Sequence, residues 1–391
     1  MIERTSAKLA RELADQFRIV AIIGPRQSGK TTLARSVFGD KAYVNLEEID
    51  TRRIVQEDPR GFLREYREGA VIDEAQRCPD LFSYLQSEVD ARPEPGRFIL
   101  TGSQHFSLLE GMTQSLAGRV GFVKLLPFSR LELANCHMEP DHLHASIYQG
   151  GYPPIYDTNA SPLRWHDAYI TTYVERDVRQ IVNVRDIDRF QRFVRQCVGN
   201  IGQLANLSRI GADCGIDQKT VSAWLNVLES SFILFRLRPH FSNFRKRLVK
   251  TPKLYFYDTG LACRLLGIES PATLLHHSMR GPLFENWAIT EWYKHRWNQG
   301  REANAYFWRN NTGLEVDLLI DHGDRLTPIE MKSGATIASD WLDEISKWRD
   351  LAGKQAGPST LIYGGDSTRM YKGSKIYAWR DISEMLEEID V

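Results

Sequence analysis

Four short apolar runs mark the first third of the chain, at residues 18–23, 70–72, 98–100 and 121–126. Each is too short for a helix and carries few polar interruptions, the pattern of strands buried on both faces of a parallel sheet. Further on the period lengthens. Residues 208–214 and 219–232 read as two helices joined by Gly215-Ile216-Asp217, where the glycine suits a helix stop and the aspartate the next N-cap. On the second helix Val221, Trp224, Leu225, Leu228 and Phe232 share one face, leaving Gln218, Lys219, Ser222 and Asn226 on the other. From residue 281 the order is helix (283–297), three strands (305–308, 314–320, 327–331), helix (340–351) and strand (360–363).

A chain of 391 residues has room for two or three cores. Lys plus Arg balance Asp plus Glu at 50 each, so no global field steers it to nucleic acid or to a membrane, and any such partner must meet a local patch. No apolar stretch has the length of a membrane span and no leader is visible at the start, which leads us to expect a cytoplasmic protein without a membrane partner. The widely spaced Cys78, Cys136, Cys197, Cys214 and Cys263 suggest reduced thiols rather than a disulfide framework or a zinc site.

The run at 18–23 leads directly into Gly24-Pro25-Arg26-Gln27-Ser28-Gly29-Lys30-Thr31, and a helix resumes at Thr32. A loop of this spacing turns successive backbone N–H groups and a helix N-terminus toward phosphates. Lys30 adds a point charge for the β and γ phosphates, and Thr31 a hydroxyl for Mg²⁺. The run at 70–72 ends in Asp73-Glu74, where an aspartate can hold the Mg²⁺ and a glutamate can polarise the attacking water. The third run ends in Thr101-Gly102-Ser103-Gln104, placing Ser103, or Thr101 beside it, near the γ-phosphate. No Asn-Lys-x-Asp guanine-reading motif occurs, so ATP with Mg²⁺ is the expected cofactor.

Together with Gly118-Arg119, Pro127-Phe128-Ser129, Gly150-Gly151-Tyr152-Pro153 and residues 173–177, these motifs resemble a prokaryotic branch of the AAA+ ATPases over nearly the whole chain. The resemblance implies an α/β P-loop core with a five-stranded parallel sheet, a helical lid, and assembly into a homo-oligomeric ring such as a hexamer. It also implies that Arg119 is a finger reaching a neighbouring subunit's nucleotide and that Arg176 is a nucleotide sensor on the lid.

The two helices around Gly215 read as a winged helix-turn-helix. Residues 189–253 carry twelve basic against three acidic side chains, a local net charge of nine in a chain neutral overall. DNA is the partner this suggests, with Arg245-Lys246-Arg247 as a wing tip, although a winged helix can equally be a protein-contact module.

The C-terminal order resembles the restriction-endonuclease-like PD-(D/E)xK fold, with Glu285, Asp317 and Glu330 as the implied Mg²⁺ ligands and Lys332 beside them. The expected division is an ATPase core at 1–140, a lid at 141–188, a winged helix at 189–253, a connector at 254–280 and a nuclease-like domain at 281–391. Three functions fit: a ring-forming DNA motor or remodeller, an ATP-regulated nuclease, or a nucleotide-switched regulatory protein. Residues 254–261 and Gly150-Gly151-Tyr152-Pro153 suggest no chemical role.

Overall fold

The computed structural model describes residues 2–103, 116–178, 186–240 and 250–390, without the side chains of 175–178. Its first sheet is five-stranded and wholly parallel. The strands β1 (Ile19–Ile23), β2 (Ala42–Asn45), β3 (Ala70–Asp73), β4 (Phe98–Gly102) and β5 (Val120–Lys124) lie in the order β2-β3-β4-β1-β5. Strand alternation divides the core into two layers. Ile19, Ala21 and Ile23 face the cluster that includes Leu81, Leu85 and Val89 of helix Leu81–Ala91. Val20 and Ile22 face Ala7, Ala10, Leu33 and Ala34, from helices Ser6–Gln16 and Lys30–Val37. Because β4 lies between β1 and β3, the loops after all three strands open at one edge of the sheet.

Short helices follow, Arg130–Asn135, Leu143–Gln149, Pro153–Asp157 and Pro162–Tyr169, the last continuing as a π-helix over Ile170–Val178. Helices Ile187–Gly199, Leu207–Cys214 and Gln218–Ser230 come next, with Gly215 left-handed at φ 66° and Asp217 accepting from the Thr220 N–H at 2.8 Å, as the stop-and-cap pattern predicts. Trp224 packs edge-on against Phe190 and Phe193. The antiparallel hairpin β6 (Leu234–Pro239) and β7 (Lys253–Phe256) completes this unit.

The hairpin does not stand alone. Arg238 and Pro239 of β6 pair in parallel with Tyr306 and Phe307 of β8 (Ala305–Arg309), so hairpin and C-terminal region share one mixed sheet. With β9 (Glu315–Asp321), β10 (Leu326–Lys332), β11 (Thr360–Tyr363), β12 (Arg369–Tyr371) and β13 (Ser374–Ala378) its order is β12-β13-β11-β10-β9-β8-β6-β7. The expected division at 253/254 thus falls inside β7. Helix Arg280–Asn298 packs against this sheet and also touches β5 and helix Ser6–Gln16 of the first body.

The two motifs without an evident role hold each other. Asp258, 3% exposed, accepts from the Gly151 N–H at 2.7 Å and from the Leu261 N–H at 2.8 Å, capping helix Thr259–Leu265. Gly150 has φ 68° and lies so close that a Cβ there would stand 2.3 Å from an Asp258 carboxylate oxygen, so only glycine fits. The Gly151 carbonyl in turn accepts from the Phe128 N–H at 2.7 Å, linking three sequence motifs in one clasp. Among the described residues no helix is long and apolar enough to cross a membrane, and all five cysteines are free.

Candidate nucleotide site

The loop after β1 is wound tightly against the end of β5. A Cβ on Gly24 would stand 2.0 Å from the Leu125 carbonyl oxygen, so the chain can approach this closely only without a side chain. Gln27 and Gly29 both adopt positive φ, 59° and 91°, and Gly29 is the N-cap of helix Lys30–Val37. This backbone presents the N–H groups of a helix start, where an anion is stabilised. Lys30 is 5% exposed and donates to the Pro25 carbonyl at 2.7 Å. Burial lowers its pKa to about 8, against the opposing pull of Glu74 and Asp73, so the ammonium would gain from a further anion. The Ser28 hydroxyl is buried and without a hydrogen-bond partner among the described residues. Arg26 pairs with Glu47 at 3.3 Å, and Thr32 is exposed.

Asp73, at the end of β3, gathers three hydroxyls. Thr31 Oγ1 donates to it at about 3 Å, Tyr43 OH at 2.7 Å, and Thr101 Oγ1 closes the group from β4. Glu74 is left-handed at φ 54°, which turns its side chain away from the strand. Its Oε2 accepts from Ser103 Oγ at 3.1 Å and from the Gln76 amide. Thr101 and Ser103, two alternatives in the sequence, thus serve different carboxylates, Thr101 meeting Asp73 and Ser103 meeting Glu74. Lys30, Thr31, Asp73, Glu74 and Ser103 meet at the carboxyl edge of the sheet, and the spare Ser28 hydroxyl, the glycine cradle and the Thr31–Asp73 pair suit a phosphate chain with a hard cation.

Arg119 lies elsewhere. It precedes β5, its carbonyl accepts from the Ile19 N–H at 3.1 Å, and it therefore sits at the opposite, amino-terminal edge. Its guanidinium makes a bidentate pair with Asp90, both bonds at 2.7 Å. The side chain of Arg176, and Gln104 with Arg245, Lys246 and Arg247, lie outside the described residues. Sequence reasoning missed Arg4, 7% exposed, which touches the loop from behind: it donates to the Ser28 carbonyl at 2.7 Å, to the Leu126 carbonyl at 2.6 Å and to Glu132 at 3.0 Å. Nothing in the residue pattern around an N-terminal arginine signals this.

The four C-terminal residues come into electrostatic reach but do not form the expected shell. Burial raises the Glu285 pKa to about 7, with Lys253 opposing and Asp317 adding to the rise. Glu330 is likewise raised, by burial and then by Asp317. Each carboxylate is already engaged: Glu285 with Lys253 at 3.1 Å and with Tyr255 OH at 2.5 Å, Asp317 with the Met331 N–H at 3.0 Å, and Glu330 with Lys332 at 2.5 Å. Among the described residues no group of three or more His, Cys, Asp or Glu is arranged to hold a metal ion. Besides Lys332, Lys253 brings a positive charge among these acids; it is 2% exposed and also pairs with Glu315. Lys253 therefore leaves the basic patch inferred for residues 189–253. Arg236, paired with Glu229, and Arg189, paired with Asp186, are partly neutralised as well. Gln218, Lys219 and Asn226 remain exposed on helix Gln218–Ser230.

Comparison with known proteins divides the chain into three matched segments, with residues 140–272 forming one of them. Residues 16–134 match the family described as an AAA domain, while residues 140–272 and 280–382 match two domains of unknown function, DUF8612 and DUF4143. Uncharacterized proteins of Mycobacterium tuberculosis and Mycobacterium bovis are each 31% identical over 343 residues, covering 86% of this chain and 75% of theirs. Among solved structures, the Walker-type ATPase paby2304 of Pyrococcus abyssi aligns over 68% of this chain and 96% of its own, with a TM-score of 0.47 and 14% identity. The Thermotoga maritima RuvB Holliday junction branch migration motor aligns over 59% and 87%, with a TM-score of 0.31 and 20% identity. With its P-loop, its parallel five-stranded sheet and this extended similarity, the chain belongs to the family of AAA-domain P-loop ATPases shared with these mycobacterial proteins.

Proposed function

We propose that the protein hydrolyses Mg·ATP at the carboxyl edge of its first sheet and uses the cycle to act on DNA as an oligomer. The observation that carries the hydrolytic part is the convergence of Thr31, Asp73 and Thr101 beside a Glu74 that Ser103 and Gln76 hold in place. Residues 24–31 cradle the phosphates, and Lys30 exchanges the Pro25 carbonyl for a phosphate oxygen. Thr31 and Asp73 would hold the cation, which would supply charge neutralisation on the phosphates. Glu74 accepts the proton of the attacking water, and Ser103 keeps its carboxylate oriented.

Two observations support the finer reading. Arg119 stands at the edge of the sheet away from its own loop, a placement that suits a finger reaching a neighbour's site after exchanging Asp90 for phosphate. Helix Gln218–Ser230 turns a polar face outward, suited to a nucleic-acid groove. Cleavage by the C-terminal region is not part of the proposal, since Glu285 and Glu330 are already paired with Lys253 and Lys332 and no group of three or more metal-ligating side chains is arranged to hold an ion among the described residues.

One preparation tests this: ATP turnover with Mg²⁺, alone and with single-stranded, duplex or branched DNA, while the DNA is checked for cuts. Turnover stimulated by DNA supports the motor, and turnover indifferent to every DNA favours a nucleotide-switched regulator. Absence of turnover rejects the hydrolytic reading.

A further inference from the structure

Arg4 lies far in sequence from every motif of the nucleotide site, yet it is the side chain that closes the phosphate loop from outside. Its guanidinium meets three acceptors: the Ser28 carbonyl, the Leu126 carbonyl and Glu132. The start of the loop is already seated on the neighbouring peptide, where Gly24 abuts the Leu125 carbonyl. Arg4 therefore ties the far end of the loop to the same short segment on which its near end rests.

The contact to Ser28 has a directional effect. In a planar trans peptide the carbonyl of one residue and the N–H of the next point opposite ways. Holding the Ser28 carbonyl toward Arg4 turns the Gly29 N–H to the other side, away from Arg4, at the N-cap of helix Lys30–Val37. A buried charge is costly and serves packing poorly, and a hydrophobic side chain would fill the same space. The planar fork is suited instead to fixing several acceptors in one geometry. Glu132, 1% exposed, balances the charge and is itself fixed by the Thr5 N–H at 2.9 Å and the Ser129 N–H at 2.8 Å.

We propose that Arg4 is a positioning residue of the nucleotide site, which sets the peptide of Ser28 and Gly29 in the orientation that receives phosphate. The inference rests on the ATPase reading of the loop. Arg4 bonds the carbonyl side of the loop, away from the Gly29 N–H, so its role is exercised on affinity more than on the chemical step.

The test compares R4M with E132Q in the full-length protein. Both break the buried ion pair, but only R4M releases the Ser28 carbonyl. Both should melt at lower temperature than the wild type. R4M alone should raise the KM and the dissociation constant for ATP by about tenfold or more with little change in kcat, whereas E132Q should shift them by less than about threefold. R4K should restore folding but only part of the affinity. If R4M folds and binds ATP like the wild type, or if E132Q weakens ATP as much as R4M, the inference is overturned. Should R4M not fold, hydrogen exchange of the wild-type chain decides. Added ATP must slow exchange at residues 4–10 together with residues 24–31, and protection of 24–31 alone refutes the positioning role. A wild-type protein that does not bind ATP overturns the ATPase reading, and with it this one.

Discussion

Replacing Asp258 by alanine should loosen the lid from the rest of the protein at a cost that follows from its hydrogen bonds. Its carboxylate is 3% exposed and accepts from the Gly151 and Leu261 N–H groups, with His166 Nε2 3.5 Å away. Burial opposes its ionisation, but the contacts with His166, Gly151 and Leu261 prevail and hold its pKa below the usual carboxylate value. A hydrogen bond to a charged group contributes about 1.5–3 kcal/mol, and losing two of them is partly offset by no longer burying a charge, so we expect a net loss of about 4 kcal/mol. The lowered pKa sets the pH window: this stability is present above the unfolded value of about 3.8 and is lost as the pH falls through the still lower folded value. Gly150→Ala attacks the same clasp from the other side, through the clash with Asp258 and the positive φ. In the double variant the clash is gone but the backbone strain remains, so its loss should be less than the sum of the two single losses. Urea melts followed by tryptophan fluorescence at pH 7, combined in a double-mutant cycle, provide the measurement. Strict additivity, or an Asp258→Ala loss under about 1 kcal/mol, would refute the reasoning.

Lys30→Ala should abolish hydrolysis, and Glu74→Gln should bind ATP without turning it over; normal turnover by purified Lys30→Ala protein would remove the site assignment. Arg119→Ala should bind ATP but not hydrolyse it, and mixing it with Lys30→Ala should restore part of the activity, whereas mixtures no better than either variant would show that Arg119 does not act between subunits. Lys253→Met should destabilise by about 3–5 kcal/mol, because Glu285 and Glu315, both largely covered, lose their buried cation. The Glu285 pKa is raised to about 7 in the fold, so stability declines as the pH rises from about 4.5 to about 7; without Lys253, which opposes the rise, the decline should continue to higher pH. Thermal melts at pH 5.5 and pH 8 read this directly, and an equal loss at both would count against Lys253 as the counter-charge.

Legibility in the sequence followed the range of the interactions involved. The strands β1, β3 and β4 announced themselves because they are buried on both faces, and β5, buried at alternate positions, by its run of apolar residues, whereas β2 did not: of Ala42, Tyr43, Val44 and Asn45 only Val44 is buried, so that edge strand carries almost no pattern. The loop and its partners Asp73, Glu74 and Ser103 were readable since each lies directly after a strand. Arg4 was not, because two of its three acceptors are backbone carbonyls that leave no trace in residue type, and the third, Glu132, lies 128 residues away. The Asp258 clasp was visible as two motifs but not as one contact. The charge count over residues 189–253 misled for a similar reason: a lysine in a strand looks the same in sequence whether it faces water or, like Lys253, is itself buried against two glutamates.

The pairing of β6 with β8 bears on how the chain acquires its structure during synthesis. When the hairpin leaves the ribosome, the outer edge of β6 has no neighbour, since Tyr306 and Phe307 are translated only after helix Arg280–Asn298. Until then the nascent polypeptide displays an unprotected row of backbone donors and acceptors, the kind of surface at which chains cross-associate. A fragment ending before residue 305 should retain that exposed edge permanently, and should aggregate where the full-length chain stays dispersed.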